Sequence, residues 1–401
     1  MKTIVFINSV GYGSTGKIVK SLIDVCVDNG DSAYVCLPKG RHNKKNEKNI
    51  ILFGNRFSED SHIILSRLTG KTGVYSYFAT KRLVRKLKII KPDVLHLHNL
   101  HNSFINLSVL FDYIKQNNTK VVWTLHDCWA FTGHCPHFTM AKCDKWETGC
   151  YKCPQYREYP QSLFDNSKKM YRLKKKWFTG IQNLTIVTPS EWLADLVKRS
   201  FLKDYPVQVI NNGIDLSVFK PTESNFRERY DIPAEKYILL GVAFGWGARK
   251  GLDVFIELSK RLPDNYQIVL VGTNDKTDKQ LPKNIVSIHR TQNQTELAEI
   301  YTAADLFVNP TREENYPTVN MESLACGTPV LTFRTGGSPE IIDGTCGSVV
   351  DCDDIDGLES EIKRIYEENP YSKDACLTRA KAFDMNERFQ EYIKLYNSCV
   401  G

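Results

Sequence analysis

The sequence predicts an α/β protein made of two doubly wound domains, with ligand held between the carboxyl ends of facing strands. Three observations predict it. At 401 residues the chain is too long for one domain of ordinary size and comfortable for two. Short Val/Ile/Leu-rich runs alternate with longer helical patterns from end to end, and the runs fall into two successive series.

The first series is Ile4 to Ile7, Ala33 to Leu37, Val94 to His98, Val121 to Leu125 and Leu184 to Thr188. Each is bounded by Gly, Pro, Asn or Asp, as strands buried on both faces usually are. The second series is Tyr237 to Ala243, Gln267 to Gly272, Val286 to His289, Leu306 to Asn309, Pro329 to Phe333 and Ser348 to Val350. Between them, Pro206, Asn211-Asn212-Gly213 and Pro221 cluster as turn formers over 206–222. The reading divides the chain into an N-terminal domain over 1–210, a C-terminal domain over 211–382 and a closing helix within 383–401. Phe389, Tyr392, Ile393 and Tyr396 recur at helical spacing in that last stretch. One interruption, residues 127–160, is rich in Cys, Pro and aromatics and has little periodicity, so it is functional or held by something.

Composition narrows the class. Hydrophobic residues at 42 % and charged residues at 25 % describe a globular chain, which excludes a disordered or fibrous one. The apolar runs are too short for a membrane span. The opening Met1-Lys2-Thr3-Ile4-Val5-Phe6-Ile7-Asn8 reads as a strand and not a leader, which places the chain in the cytoplasm. Twelve cysteines are too thin a spread for a disulfide scaffold and stand there as core residues, metal ligands or redox groups. A net charge of +7 suits phosphate-bearing ligands, acidic membranes or nucleic acid without choosing among them.

The first strand runs into Gly11-Tyr12-Gly13-Ser14-Thr15-Gly16-Lys17-Ile18. Glycine lets backbone approach a ligand, and the following helix start points N–H groups at anions. The spacing nearly matches an ATPase phosphate loop, but Ile18 stands where a Mg²⁺-holding hydroxyl belongs. Gly13 and Gly16 therefore read as a substrate loop, with a plain tight turn as the alternative.

The sharpest signal is Glu314-Asn315-Tyr316-Pro317-Thr318-Val319-Asn320-Met321-Glu322. Glu314 sits in a loop after a strand, and Glu322 lies in a helix beginning near Thr318. Ser323-Leu324-Ala325-Cys326-Gly327-Thr328-Pro329-Val330 closes that helix with Gly and enters a strand at Pro. This Glu-x7-Glu pattern, with its small-residue helix and Gly-Thr-Pro-Val, resembles the retaining glycosyltransferases of family 4. The resemblance implies the GT-B fold, two Rossmann-like domains facing a central cleft. It implies that Glu314 contacts hydroxyls of a donor sugar, while Glu322 accepts from the ribose diol of the nucleotide; ionised carboxylates suit both tasks. It extends to Arg249-Lys250-Gly251-Leu252-Asp253, whose cations would neutralise the donor pyrophosphate. The family's usual Arg five positions before the Lys is Gly245 here, so Arg249 stands in its place. Gly336-Gly337-Ser338-Pro339-Glu340 resembles the phosphate-side loop, with amides at a helix start. Asn315 falls within the same donor-binding motif. Thr188-Pro189-Ser190-Glu191-Trp192, Asn212-Gly213-Ile214-Asp215 and Leu270-Val271-Gly272 are placed as in the family, so the likeness covers nearly the whole chain.

In the N-terminal half, His126-Asp127 follows a strand, where the family commonly has a His approaching the transferred sugar. His96, His98 and His101 crowd the end of the preceding strand; their period-2 spacing reads as cleft lining with hydrogen bonding, in preference to a metal site. Cys135, Cys143, Cys150 and Cys153 have spacing that suits a structural tetrahedral Zn²⁺, and equally suits reduced thiols packed beside Trp129, Phe131 and Trp146. A related sub-group with this Cys-rich insertion, of bacterial surface-polysaccharide type, is the nearest resemblance. Asp351-Cys352-Asp353 reads as a helix start capped by Asp353 or Asp354, and not as a metal motif. Two acid-free basic runs, around Lys81 to Lys91 and Lys168 to Lys176, are solvated faces or contacts to the inner face of an anionic membrane.

Taken together, the resemblance implies a hexosyltransferase that moves a sugar from a nucleoside-diphosphate sugar to a carbohydrate or polyprenol-linked glycan, with no catalytic metal. Its catalytic groups would be His126, Arg249, Lys250 and Glu314. A same-fold epimerase or phosphorylase is the alternative reading. A zinc-stabilised nucleic-acid binder is another, and it leaves the Glu-x7-Glu pattern unexplained.

Overall fold

The computed structural model describes residues 1–40 and 48–400. The chain divides into two compact units, Met1–Ile210 with Phe389–Gly401, and Asn211–Arg388. Every expected strand forms, with ends within one residue of the expectation.

Unit 1 contains β1 (Thr3–Ile7), β2 (Ser32–Pro38), β3 (Ile50–Phe53), β4 (Val94–Leu97), β5 (Val121–Thr124), β6 (Leu184–Thr188) and β7 (Val207–Val209). They form one parallel sheet in the order β3-β2-β1-β4-β5-β6-β7. Two strands, β3 and β7, escaped the sequence reading. Both are short edge strands, and β7 lies inside the stretch assigned to turns, where three residues after Pro206 give no period to detect. Helices α1 (Gly13–Asp28), α2 (Arg56–Thr69), α3 (Tyr77–Ile90), α4 (Leu107–Gln116), α5 (Ser167–Phe178) and α6 (Glu191–Arg199) connect them. Asn55, Asn106 and Ser190 cap α2, α4 and α6 by accepting a backbone N–H from the first turn, which fixes where these helices begin.

Unit 2 contains β8 (Tyr237–Val242), β9 (Tyr266–Val271), β10 (Ile285–Ile288), β11 (Leu306–Asn309), β12 (Val330–Phe333) and β13 (Gly347–Val350). Its parallel sheet has the order β10-β9-β8-β11-β12-β13. Strands β4, β5, β11 and β12 are buried at every residue, which explains their unbroken apolar runs. In both sheets the order reverses at a switch point: between β1 and β4 in unit 1, and between β8 and β11 in unit 2. Crevices of open α/β sheets bind ligands at such points, outside the strands' carboxyl ends.

The C-terminal helix Met385–Val400 starts in unit 2 and ends in unit 1. At its start, the bridge between Ile214 and Asp384 sets the outgoing chain beside the incoming one. A Cβ on Gly213 would lie 2.3 Å from the Met385 Cα, so only glycine fits that crossing. At its end, the helix is fastened by a buried polar chain. The Tyr396 hydroxyl meets His96 Nδ1 at 2.7 Å, His96 Nε2 meets Thr124 Oγ1 at 2.8 Å, and Thr124 Oγ1 meets the Tyr392 hydroxyl at 3.2 Å. His96 is therefore not cleft lining; it is fully buried beneath this helix.

Tyr396→Phe removes one hydroxyl and leaves a buried ring nitrogen unpaired, which costs about 1–3 kcal/mol. The expected result is a lower thermal midpoint without change in the far-ultraviolet circular dichroism of the native state. An unchanged midpoint would contradict the role given to this chain of bonds.

Candidate functional site

The strongest assembly of chemistry lies at the switch point of unit 2. Strand β8 exits into a one-turn 3₁₀ helix, Ala248–Lys250, and β11 exits into the loop that carries Glu314. The two loops are stitched together. The Arg312 N–H donates to the Arg249 carbonyl at 2.9 Å, and a Cβ on Gly251 (φ +74°) would fall 2.4 Å from the Pro310 carbonyl oxygen. This close approach brings the Lys250 ammonium onto the Glu314 carboxylate as an ion pair in a half-buried setting. Burial alone would push Glu314 up, but Lys250, the Asn315 amide and Arg249 hold it below the usual carboxylate range. Glu314 is thus ionised at neutral pH and able to accept hydrogen bonds. Gly245 stands in open space beside a wholly exposed Phe244, and Arg249 is near enough to Glu314 to help hold it ionised.

Helix Thr318–Ala325 carries Glu322, which is half-buried and accepts from the buried Tyr301 hydroxyl at 3.2 Å. The Gly336-Gly337 loop packs on the same backbone: a Cβ on Gly336 (φ +55°) would lie 1.9 Å from the Glu314 carbonyl oxygen. The expected row of anion-binding amides is altered. The helix it opens, Ser338–Ile341, is a single turn, and the Gly337 N–H is donated to the Asn315 carbonyl at 2.7 Å. Glu314, Asn315, Lys250, Gly336 and Gly337 are nonetheless one cluster. Asp351-Cys352-Asp353 stands apart in purpose: Asp351 pairs with Arg334, Asp353 with Arg312, and Asp354 caps the next helix at the Gly357 N–H.

In unit 1 the switch point collects Gly11 to Gly16, His98 and His126. Gly16 is dictated by packing, since its Cβ would meet the Gly11 carbonyl carbon at 2.6 Å, whereas Gly13 (φ +70°) has open space around it. His98 Nδ1 lies 3.0 Å from His126 Nε2 with the rings stacked. Burial lowers both, His126 to about 4 against the opposing pull of Asp127, so both are neutral and one ring N–H donates to the other. His101 donates to Asp127 at 3.0 Å; burial would raise this carboxyl, but His101 and the Trp129 amide bring it down to about 2.

The Cys-rich insertion brings together the four thiols that the sequence offered to zinc or to plain packing. Cys135, Cys143, Cys150 and Cys153 do line one cavity of ≈ 20 Å³. Among the described residues, however, only Asp275, Asp278 and His289 bring three metal-ligating atoms within 4.8 Å of one another. The Cys135 and Cys153 thiols bias one another, Cys135 upward and Cys153 downward, and Cys150 accepts the Gly133 N–H at 3.1 Å. Aromatic packing of Phe131 and Phe138 on the buried Trp146, together with Lys174, contributes to ordering the segment. Sequence reasoning placed Lys174 in a basic run on the surface. It is fully buried, donates to the Trp129 and Thr132 carbonyls at 2.7 and 3.0 Å, and sits 3.5 Å above the Trp129 ring centroid. Burial lowers it to about 7. Its position in α5, between Met170-Tyr171 and Trp177 at helical spacing on the buried face, was the available signal.

With this geometry in view, known proteins supply the context. A family model described as Glycosyltransferase Family 4 matches residues 15–218, and one described as Glycosyl transferases group 1 matches residues 236–368. The chain belongs to glycosyltransferase family 4. A relative named putative colanic acid biosynthesis glycosyl transferase WcaC, from Escherichia coli K12, is 28 % identical over 328 residues, or 77 % of this chain and 76 % of that protein. The D-inositol 3-phosphate glycosyltransferase of Mycolicibacterium smegmatis is 28 % identical over 44 % of this chain and 42 % of its own length. The GT-B fold of this family 4 member is shared with sucrose-phosphate synthase of Thermosynechococcus elongatus, at TM-score 0.73 and 17 % identity over 99 % of both chains. It is shared also with HepE of Anabaena, solved with UDP-glucose, at TM-score 0.69 and 15 % identity over 99 % of this chain and 100 % of that one. Among the described residues, no helix is long and apolar enough to cross a membrane.

The histidines give unit 1 a defined acid sensitivity. His126 binds its proton near 6.5 when unfolded and only near about 4 when folded, and His96 and His98 shift the same way. Their contribution is complete above pH 6.5 and is lost as pH falls toward 4. The thermal midpoint should therefore drop steadily across that window, and His126→Asn should flatten the slope. A midpoint independent of pH between 6.5 and 4 would contradict the buried neutral assignment.

Proposed function

We propose that the chain transfers a sugar, with retention of configuration, from a nucleoside-diphosphate sugar to a carbohydrate or lipid-linked glycan in the synthesis of a cell-surface polysaccharide. The observation that carries this reading is the Lys250–Glu314 ion pair at the unit 2 switch point, with Arg249 beside it and Glu322 nearby in sequence on a helix that starts from the same loop. The name of the WcaC relative supports the polysaccharide assignment, and the UDP-glucose complex of HepE supports a nucleotide-sugar donor.

In this mechanism the barrier is departure of the diphosphate, which leaves positive charge on the sugar and negative charge on the leaving group. Lys250 and Arg249 stabilise the developing negative charge from fixed positions, which is the largest electrostatic contribution the site offers. Glu314, kept ionised by those same cations, accepts from hydroxyls of the donor sugar. Glu322 accepts from the ribose diol, with Tyr301 fixing one of its oxygens. Gly336 lets the phosphate-side loop lie against the Glu314 backbone, where a side chain would clash. His126 is assigned to the transferred sugar, and Gly13 and Gly16 to the substrate side of unit 1, by family resemblance. The attacking acceptor hydroxyl loses its proton to the departing phosphate on the same face. An epimerase would make the same use of the donor groups and need no acceptor.

A thermal-shift panel of UDP, GDP and ADP with their sugar conjugates tests the donor site. One diphosphate should stabilise the protein, and Glu322→Ala should abolish most of that shift; equal stabilisation of the variant would remove Glu322 from the ribose. Lys250→Ala should lower turnover by about 10²–10³, the range for losing one electrostatic donor. Near wild-type turnover would refute its role. Product anomeric configuration, read by proton NMR, tests retention.

A further inference from the structure

Helix α2 is amphipathic in the wrong sense for a helix that serves only the core. Its fully buried residues are His62 and Ser66, while Phe57, Ile64 and Leu68 are exposed by 80 %, 57 % and 46 %. Polar contacts seat its inner face: His62 Nδ1 meets the Ser76 hydroxyl at 2.8 Å, and Ser66 donates to the Lys71 carbonyl at 3.1 Å. Two further exposed aromatics stand on segments bonded to this helix. The Ser76 contact brings the start of α3 alongside, where Phe78 is 77 % exposed. At the other end the Leu163 N–H donates to the Arg67 carbonyl at 2.8 Å, and the adjoining Phe164 is 63 % exposed. Single exposed apolar residues are ordinary, but several large ones on neighbouring segments mark a contact surface.

The flanks of this surface are cationic. Helix α3 contains no acidic residue and exposes Lys81, Arg82, Arg85 and Lys88. Helix α5, which begins just after Phe164, contains none either and exposes Lys168, Lys169 and Arg172. Protruding aromatics and aliphatics between acid-free cationic helices match the chemistry of an anionic bilayer, where apolar groups enter the acyl boundary and cations meet headgroups.

We propose that this face of unit 1 docks on an anionic membrane surface through Phe57, Ile64, Phe78 and Phe164, with the basic faces of α3 and α5 against the headgroups. Docking there would hold the chain where a lipid-linked acceptor resides. The proposal stands independently of the donor site, because it is read by binding and not by turnover.

The test is co-sedimentation of the full chain with vesicles of phosphatidylcholine alone and of phosphatidylcholine mixed with phosphatidylglycerol. The chain should partition onto the anionic vesicles and much less onto the neutral ones, with binding falling as salt rises. Phe57→Ser/Ile64→Ser/Phe164→Ser should weaken that binding by at least about tenfold, since each side chain forgoes burial. Lys81→Gln/Arg82→Gln/Arg85→Gln should weaken it by roughly fivefold per cation removed. Because all six positions are exposed, both variants should keep the wild-type thermal midpoint and the wild-type response to nucleoside diphosphates, which separates failure here from failure of the transferase reading. Absence of anionic partition at low ionic strength would overturn the proposal, as would wild-type binding by the serine variant or equal binding to neutral vesicles. A dimer in sedimentation velocity that the serine variant dissolves, with no vesicle binding, would assign the face to a second copy and equally overturn it.

Discussion

The meeting of Lys250 with Glu314 is the constraint on which the unit 2 site depends. A carboxylate and an ammonium taken partly out of water are each unfavourable alone, and their pairing offsets that penalty only when the backbone holds them together. The backbone does so through tight steric choices. Gly251 lets one loop lie on Pro310, and Gly336 lets another lie on the carbonyl of Glu314 itself. The loops that carry Lys250 and Glu314 leave the carboxyl ends of β8 and β11, on either side of the sheet's point of reversal. The Gly336 loop leaves the neighbouring β12, so topology delivers all three to one place. The pair then has two consequences: the carboxylate stays ionised, and the ammonium is held at a fixed position beside it.

Unit 1 repeats the topology and fills the corresponding place differently. Its strand ends carry imidazoles in place of ion pairs, and burial keeps His98 and His126 neutral. The histidine one step deeper, His96, has become a fastening point for the C-terminal helix. Alternation along β4 explains the pair: His96 and His98 share one face, with ring centroids 4.1 Å apart, but successive positions on that face meet different neighbours.

Much of this was legible beforehand, for identifiable reasons. Central parallel strands announce themselves because both faces are buried, so β4, β5, β11 and β12 read as unbroken apolar runs. Glu314, Glu322 and Lys250 were singled out by their match to the family's motifs, and the fold brings Lys250 onto Glu314. Edge strands β3 and β7 were not legible, since three or four residues carry no period. Lys174 was misread because a lysine in a basic run looks solvated; only its place on the apolar face of α5 distinguished it. Cys135 to Cys153 share a cavity, as their clustering in sequence suggested, while spacing alone does not distinguish sulfurs that hold a metal from sulfurs that pack as small apolar groups. The outward apolar row of α2 went unseen because periodicity reports that a helix has two faces, and not which one turns inward.

Hydrogen–deuterium exchange on the intact chain, with and without the nucleoside diphosphate that stabilises it, tests the central claim most directly. The account predicts added protection concentrated in the loops around Lys250, Glu314 to Glu322 and Gly336-Gly337, with Asp351 to Asp354 unaffected. Protection confined to unit 1 or to the basic helices, with the loops around Lys250 and Glu314 unchanged, would contradict it.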